Sequence, residues 1–306
     1  MAACDICPRE CGANRFSDKT GFCHSGKLPI VASVCDHHGE EPILSGSRGS
    51  GTIFFGNCNL KCCYCQNYQI SQEHKQQKAN QVDCQRLAQY MLRLKNELGC
   101  HNINFVSPSH FVPQIVKALL QAIPLGLKIP LVYNTNAYDS LETLKELEGV
   151  IGIYLPDLKY ADDKSAKKFS KAKDYVFHSR NAIKEMQRQV GNLSVNEDGL
   201  AVRGLIVRHL ILPHRLAGSH ESLRWLAQKV SPNIAISLMS QYQPTYNAFK
   251  HHLLSRQINP SEYEEALAAM QEAKLTKGWT QDIASHKHYL PNFKRRQNPF
   301  DTTVQL

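Results

Sequence analysis

From about residue 50 to residue 245, short apolar runs alternate with amphipathic stretches about six times, and few folds admit that rhythm. The apolar runs are Thr52-Ile-Phe-Phe, Asn102-Ile-Asn-Phe-Val, Ile129-Pro-Leu-Val-Tyr, Val150-Ile-Gly-Ile-Tyr-Leu, a run from Leu205 that closes at Pro213, and Ile234-Ala-Ile-Ser-Leu-Met. Between them lie helical stripes. Leu87, Tyr90, Met91, Leu94 and Leu98 share one face of 83–98, and Pro113 sits in the first turn of 112–122. Leu141, Leu144 and Leu147, a short helix from Ser165, a helix over 182–190 stopped by Gly191, and one over 221–230 complete the alternation. Such a pattern predicts an α/β protein with a parallel sheet and helices outside it. A closed or partly closed barrel would put working residues at the C-terminal ends of the strands. An open doubly wound sheet has the same rhythm, but no Gly-x-Gly-x-x-Gly turn supports dinucleotide binding.

The flanks differ from this core. Residues 1–45 form a Cys-rich, irregular opening with almost no helical or strand period; residues 46–245 are the barrel candidate; residues 246–306 are a C-terminal extension with one helix, 260–273, and a polar tail. The first residues lack the basic and apolar regions of a secretory signal, and no apolar run is long enough to span a membrane. Eleven cysteines in such a chain read as metal ligands in a reducing compartment, so a cytoplasmic location is expected. The net charge of +9 permits an acidic partner or nucleic acid, but it is spread over Lys164, Lys167, Lys168, Lys171, Lys173 and the tail's Lys294-Arg-Arg. No appended RNA-binding module is evident, which counts against a nucleic-acid partner.

The densest chemistry lies in Gly56-Asn-Cys58-Asn-Leu-Lys-Cys62-Cys63-Tyr64-Cys65-Gln-Asn67. Thiols separated by three and then two residues can wrap one iron–sulfur cubane, and three protein ligands leave one iron open to another ligand. Zinc would want a fourth protein ligand and paired Cys-x-x-Cys elements. Cys63 offers a rival register and is read as a spare thiol, as are Cys35, Cys84 and Cys100.

Cys58-x3-Cys62-x2-Cys65, with the aromatic Tyr64 before the last thiol, resembles the signature of the radical S-adenosylmethionine superfamily. Several segments further resemble an uncharacterised branch related to pyruvate formate-lyase activating enzymes. They include Cys4-Asp-Ile-Cys-Pro-Arg-Glu-Cys-Gly, Gly39-Glu-Glu-Pro, Val132-Tyr-Asn-Thr-Asn, Leu155-Pro-Asp-Leu-Lys-Tyr, Val207-Arg-His-Leu-Ile-Leu-Pro and Ser240-Gln-Tyr. The resemblance implies a partial (β/α)6 TIM-type barrel, a [4Fe–4S] cluster on Cys58, Cys62 and Cys65, and S-adenosylmethionine on the open iron. Reductive cleavage then yields a 5′-deoxyadenosyl radical that abstracts hydrogen from substrate. By the same resemblance Tyr64 lies beside the adenine, and Asn134, Thr135, Asp157, Lys159 and Arg208 line the cofactor. Asn134 stands where the activating enzymes carry Asp, which puts a cation site in doubt. The Gly-Gly-Glu run that many members carry after the second strand is missing. Asn104, Ser107 and Ser109 are the polar candidates to replace it, and His110 is either a substrate contact or a loop histidine satisfied by backbone.

A second set, Cys4-x2-Cys7-x3-Cys11-x11-Cys23, lies in a segment too poor in apolar residues to fold without a staple. It reads as structural zinc or an auxiliary iron–sulfur cluster. Among enzyme readings, a protein substrate, as for activases that install a glycyl radical, stands beside modification of a small molecule or RNA. A flavodoxin or ferredoxin would supply the electron. A metal-stabilised binding protein would leave the strand-end Asn134, Thr135, Asp157 and Lys159 unexplained.

Overall fold

The structure, a computed structural model, describes residues 2–17, 20–283, 290–294 and 298–300; Arg295 and Arg296 of the basic tail lie outside them. Its strands are β1 (Val31–His37), β2 (Ser50–Phe55), β3 (Ile103–Val106), β4 (Leu131–Thr135), β5 (Ile153–Pro156), β6 (Ser194–Val195), β7 (Ala201–Leu210), β8 (Ala235–Met239) and β9 (Gly278–Thr280). The longer helices are α1 (Cys84–Asn96), α2 (Val112–Ala122), α3 (Leu141–Lys145), α4 (Asp163–Ser170), α5 (Tyr175–Val190), α6 (Ser219–Lys229) and α7 (Pro260–Glu272). The sheet runs β1-β2-β3-β4-β5-β7-β8-β9, with β6 paired to β7 at the side. Neighbours from β2 to β9 along that path are parallel, whereas β1 is antiparallel to β2. The six expected β/α units are therefore present, and β1, β6 and β9 add to them. Val31–His37 is a strand inside the segment expected to be irregular, and α5 begins at Tyr175, a full turn and more before residue 182.

Strand alternation sorts the core into two layers. Ile53, Phe55, Ile103, Phe105, Tyr133, Tyr154, Leu205, Val207, Ile236 and Leu238 point outward. They pack in one cluster with Leu87 and Met91 of α1, Ile115 and Leu119 of α2, Ile183 and Met186 of α5, and Leu223 and Leu226 of α6. Val132, Ile153, Leu155, Ile206 and Ala235 point inward, closed by Leu44 from the turn at Pro42–Ser45. One step of two residues further along the same inward faces come Asn134, Asp157 and Arg208. The inside of the sheet is thus apolar at its floor and polar at the C-terminal ends of the strands. Curvature is visible in one contact. Glu40 follows β1, at one edge of the sheet, yet its carboxylate meets Arg208 of β7 at 3.3 Å across the inside. No helix among the described residues is long and apolar enough to cross a membrane.

Candidate functional site

The chain leaves β2 through Asn57, whose φ of +66° asparagine tolerates better than most residues. Its amide donates to the His24 carbonyl and its backbone N–H to that of Ile70, at 3.0 and 2.7 Å, fixing the start of the cysteine loop. Cys58 and Cys62 are buried and Cys65 is partly buried. Each has a polar neighbour at its sulfur. Asn136 Nδ2 and the Leu60 N–H donate to Cys58 at 3.5 and 3.4 Å, Ser170 Oγ donates to Cys62 at 3.0 Å, and Ser71 Oγ lies 3.2 Å from Cys65. Burial and the neighbouring Cys62 push the Cys58 thiol up to about 11 and the Cys65 thiol up to about 12. Burial raises Cys62 as well, with Lys159 pulling against it. The thiols resist ionisation until something binds the thiolates.

Ser170 also closes a chain of hydroxyls. Its proton goes to Cys62, so its oxygen accepts from Tyr160 at 2.7 Å, and Tyr160 accepts from Tyr64 at 2.7 Å. Sequence reasoning missed Tyr160 and Ser170, which stand far from the cysteines in the chain and carry no spacing signal.

Cys62, Tyr64 and Cys65 line one wall of a cavity at the C-terminal end of the sheet. Its other walls include Asn134, Asp157, Lys159, Arg208, Glu40 and Glu41. Arg208 Nε donates to Asp157 Oδ1 at 2.7 Å, Lys159 Nζ to Asp157 Oδ2 at 2.8 Å, and Arg208 Nη2 to Asn134 Oδ1 at 2.6 Å. Burial alone would raise Asp157, but Arg208 and Lys159 hold it below the usual carboxylate range. Burial likewise opposes the charge on Lys159 and Arg208; Asp157, joined by Cys62 at Lys159 and by Glu41 and Glu40 at Arg208, more than restores it. Glu40 and Glu41 go the other way. Burial raises both, Glu41 to about 7, despite Arg208 nearby, and Glu41 Oε2 has no partner among the described residues. No spacing in Gly39-Glu-Glu-Pro marks the two glutamates as site residues; the curl of the sheet brings them to the strand ends.

Of the residues the sequence suggested, Tyr64, Asn134, Asp157, Lys159 and Arg208 share the cavity. Thr135 and Asn104 do not line it. Thr135 turns to the other side of β4 and donates to Asp139 at 2.6 Å. Asn104 is fully buried on β3, and neither atom of its amide has a hydrogen-bond partner of ordinary geometry among the described residues. Ser109 lies against Thr135 at 3.2 Å. His110 meets the Gly56 carbonyl at 2.9 Å, and burial lowers it to about 3, so it is a neutral loop histidine.

The N-terminal thiols sit against the same loop. Cys4, Cys7 and Cys23 are buried and Cys11 is exposed. Arg15 Nε and Nη2 donate to Cys4 and Cys23 at 3.2 and 3.7 Å, and Arg15 Nη1 donates to the His110 carbonyl. Arg9 donates to the Asn59 carbonyl at 2.9 Å, between Cys58 and Leu60. Among the described residues, no three His, Cys, Asp or Glu side chains converge as ligands of a single ion.

Comparison with known proteins identifies the family. The family model of the Radical SAM superfamily matches residues 52–196, from β2 past α5. An uncharacterized protein of Methanocaldococcus jannaschii is 30% identical over 277 residues, covering 89% of this chain and 75% of that one. The crystal structure of HydG, a maturase of the [FeFe]-hydrogenase, is similar in fold, with a TM-score of 0.50 and 14% identity over 74% of this chain and 50% of that one. A domain of a pyruvate-formate lyase-activating enzyme from Bacteroides vulgatus aligns at TM-score 0.40 and 13% identity, covering 56% and 91%. With a sequence relative that spans nearly its whole length and a family model seated on the cysteine loop and the strands behind it, this chain belongs to the radical S-adenosylmethionine superfamily.

Proposed function

We propose that the protein cleaves S-adenosylmethionine reductively, with Cys58, Cys62 and Cys65 as ligands of its [4Fe–4S] cluster and the adjoining cavity as the cofactor site. Membership of the superfamily brings the cluster, S-adenosylmethionine and the need for an external electron donor. Held by Cys58, Cys62 and Cys65, such a cluster would supply the single electron that reductive cleavage of the sulfonium requires. One observation carries the assignment to these residues: two of the three thiols open on the cavity that also holds Arg208, Lys159 and two buried glutamates.

The residues fit the group. Three soft donors in one loop suit iron–sulfur ligation, and hydrogen bonds to ligand sulfurs are a usual means of stabilising it. Lys159 and Arg208 offer charge to the methionine carboxylate, Arg208 through a planar fork. Glu40 and Glu41 offer carboxylates to the methionine ammonium, taking the part of the missing Gly-Gly-Glu run. A cation arriving there would lower both glutamates toward their ordinary range. Tyr64 presents its ring to the cavity and its hydroxyl to Tyr160.

The favoured substrate is a protein, as for activases that install a glycyl radical, because the resemblance runs along most of the chain. We read the N-terminal set Cys4, Cys7, Cys11 and Cys23 as a second metal site, zinc or a further cluster, whose thiols would have to close in on binding because no three of them converge on one ion among the described residues. The test is anaerobic reconstitution with iron and sulfide, reduction with dithionite, and chromatography for 5′-deoxyadenosine. The wild-type protein is expected to form it and Cys58→Ala to form none. Equal yields from both, or none from a wild-type protein loaded with cluster, would overturn the reading.

A further inference from the structure

Cys63 stands between two candidate cluster ligands and faces away from them. Cys62 and Cys65 open on the cofactor cavity, whereas Cys63 lies in a second concavity with Lys61, Lys168, Lys171, Lys250 and His251 around it. The backbone holds that arrangement: the Cys63 N–H donates to the Phe169 carbonyl at 2.8 Å, and the Cys63 carbonyl accepts from the Asn247 N–H at 2.9 Å. The cysteine loop is therefore a wall shared by the cofactor cavity and a basic basin. None of the ion pairs among the described residues involves Lys168, Lys171 or Lys250, so the charge of these exposed side chains is not neutralised locally; Lys61 is half-buried, its Nζ 5.6 Å from the Phe22 ring centre. Tyr246, 40% exposed, lines the basin, and Phe249, next in the chain to the basin's Lys250, is 66% exposed. Tyr246 stacks on Tyr68 at 5.2 Å, three residues beyond Cys65, which ties this edge to the cysteine loop.

Exposed aromatic side chains beside a patch of one charge sign suit a transient protein interface. A concave patch of uncompensated positive charge attracts acidic partners and speeds their encounter. We propose that this basin docks an acidic one-electron carrier protein, of the low-potential flavin or iron–sulfur class, and that its electron enters from the Cys63 side. The inference rests on the cluster assignment above and names the partner face of that site. In the transfer the carrier is oxidised by one electron and the cluster reduced by one; no bond forms or breaks and no proton moves. Entry from behind the loop leaves the cavity free for S-adenosylmethionine and substrate, and the covalent path from Cys63 to a ligand is a single peptide unit.

The test uses the full chain, reconstituted anaerobically, and a charge-reversal variant carrying Lys168→Glu, Lys171→Glu and Lys250→Glu. These side chains are exposed and lie outside the cavity, so folding is expected to persist, with thermal melting as the check. Purified FMN-loaded flavodoxin and a ferredoxin are the probes, with binding measured by calorimetry at about 50 and about 300 mM NaCl. The wild-type protein should bind at least one of them, weaken by about tenfold or more at the higher salt, and lose about tenfold or more in the variant at low salt. Phe249→Ala should weaken binding at both salt concentrations alike. Dithionite-driven cleavage should stay within about twofold of wild type in the variant, while carrier-driven cleavage falls with affinity. Absence of binding by wild type, or equal carrier affinity in the variant, overturns the proposal. So does loss of binding to a single-stranded RNA oligonucleotide in the variant with carrier binding intact, which would make the basin a nucleic-acid surface. Absence of dithionite-driven cleavage from the wild-type protein would sink the cluster reading instead, and the isotherms would still decide the docking.

Discussion

Asn134 and Thr135 are neighbours on β4 and point to opposite sides of the sheet, so they cannot serve the same ligand. The inward Asn134 holds Arg208, and the outward Thr135 holds the buried Asp139. A pattern of residue types along a strand end names both; only the phase of the strand separates them. Asp157, Lys159 and Arg208 were legible through the family resemblance, whose matching segments fall near the C-terminal ends of strands, where barrel folds carry working residues. Glu40, Glu41 and Ser170 were not, since each reaches the site across the fold, and neither was Tyr160, whose part rests on hydroxyl contacts with Tyr64 and Ser170 that only the fold creates. Ser170→Ala removes a donor from Cys62, and hydrogen bonds to ligand sulfurs favour the reduced, more negative cluster. The midpoint potential should fall by tens of millivolts, the equivalent of about 1 kcal/mol, in a titration followed by paramagnetic resonance. An unmoved potential would remove Ser170 from the account. Glu41 predicts a pH dependence. With its carboxyl raised to about 7 from an ordinary 4.5, the fold favours its neutral form. That contribution is complete below about pH 4.5 and is lost as pH rises through about 7, on the order of 3 kcal/mol in all. Glu41→Gln should flatten the decline in melting temperature between those pH values, and a decline that persists unchanged would contradict the assignment.

At the scale of elements, the parallel strands were legible because each is buried on both faces and reads as a continuous apolar run. β1 was hidden by its own composition: Val31-Ala-Ser-Val-Cys-Asp-His has few large apolar residues, and it becomes a strand by pairing antiparallel with β2. β9, three residues long, is set by β8 in the same way. Helix α5 begins at Tyr175, before the stripe that marked it, because that ring is buried against the strand ends, its hydroxyl accepting from the Lys159 N–H and donating to the Asn136 and Asp157 carbonyls. Two substitutions compare core with cap. Leu155→Ala empties part of the apolar floor beneath Asp157 and should cost about 2–5 kcal/mol in chemical denaturation. Asn259→Ala breaks the capping box of α7, in which Asn259 and Glu262 bond each other's backbone, and should cost about 1 kcal/mol. A cap that costs as much as the floor residue would contradict this division of labour.

Across the whole molecule, the Cys-rich opening is part of the site's architecture. Arg9 bonds Asn59, Asn57 bonds His24, Thr143 bonds the Ile6 carbonyl, and Arg15 spans Cys4, Cys23 and His110. Its place against the cysteine loop was not legible in the sequence, because those contacts are polar and long in range. Cys4→Ser is expected to lower metal content in elemental analysis and to loosen residues 2–17 in hydrogen exchange, whereas unchanged metal would remove the second site. The central claim is that Cys58, Cys62 and Cys65 hold a four-iron cluster with one iron open to S-adenosylmethionine. Paramagnetic resonance of the reconstituted, reduced protein tests it most directly. A reduced [4Fe–4S] signal that shifts on adding S-adenosylmethionine, and that is lost in Cys62→Ala, is the predicted result. Absence of any signal that responds to S-adenosylmethionine, or a responsive signal that survives that substitution, would contradict it.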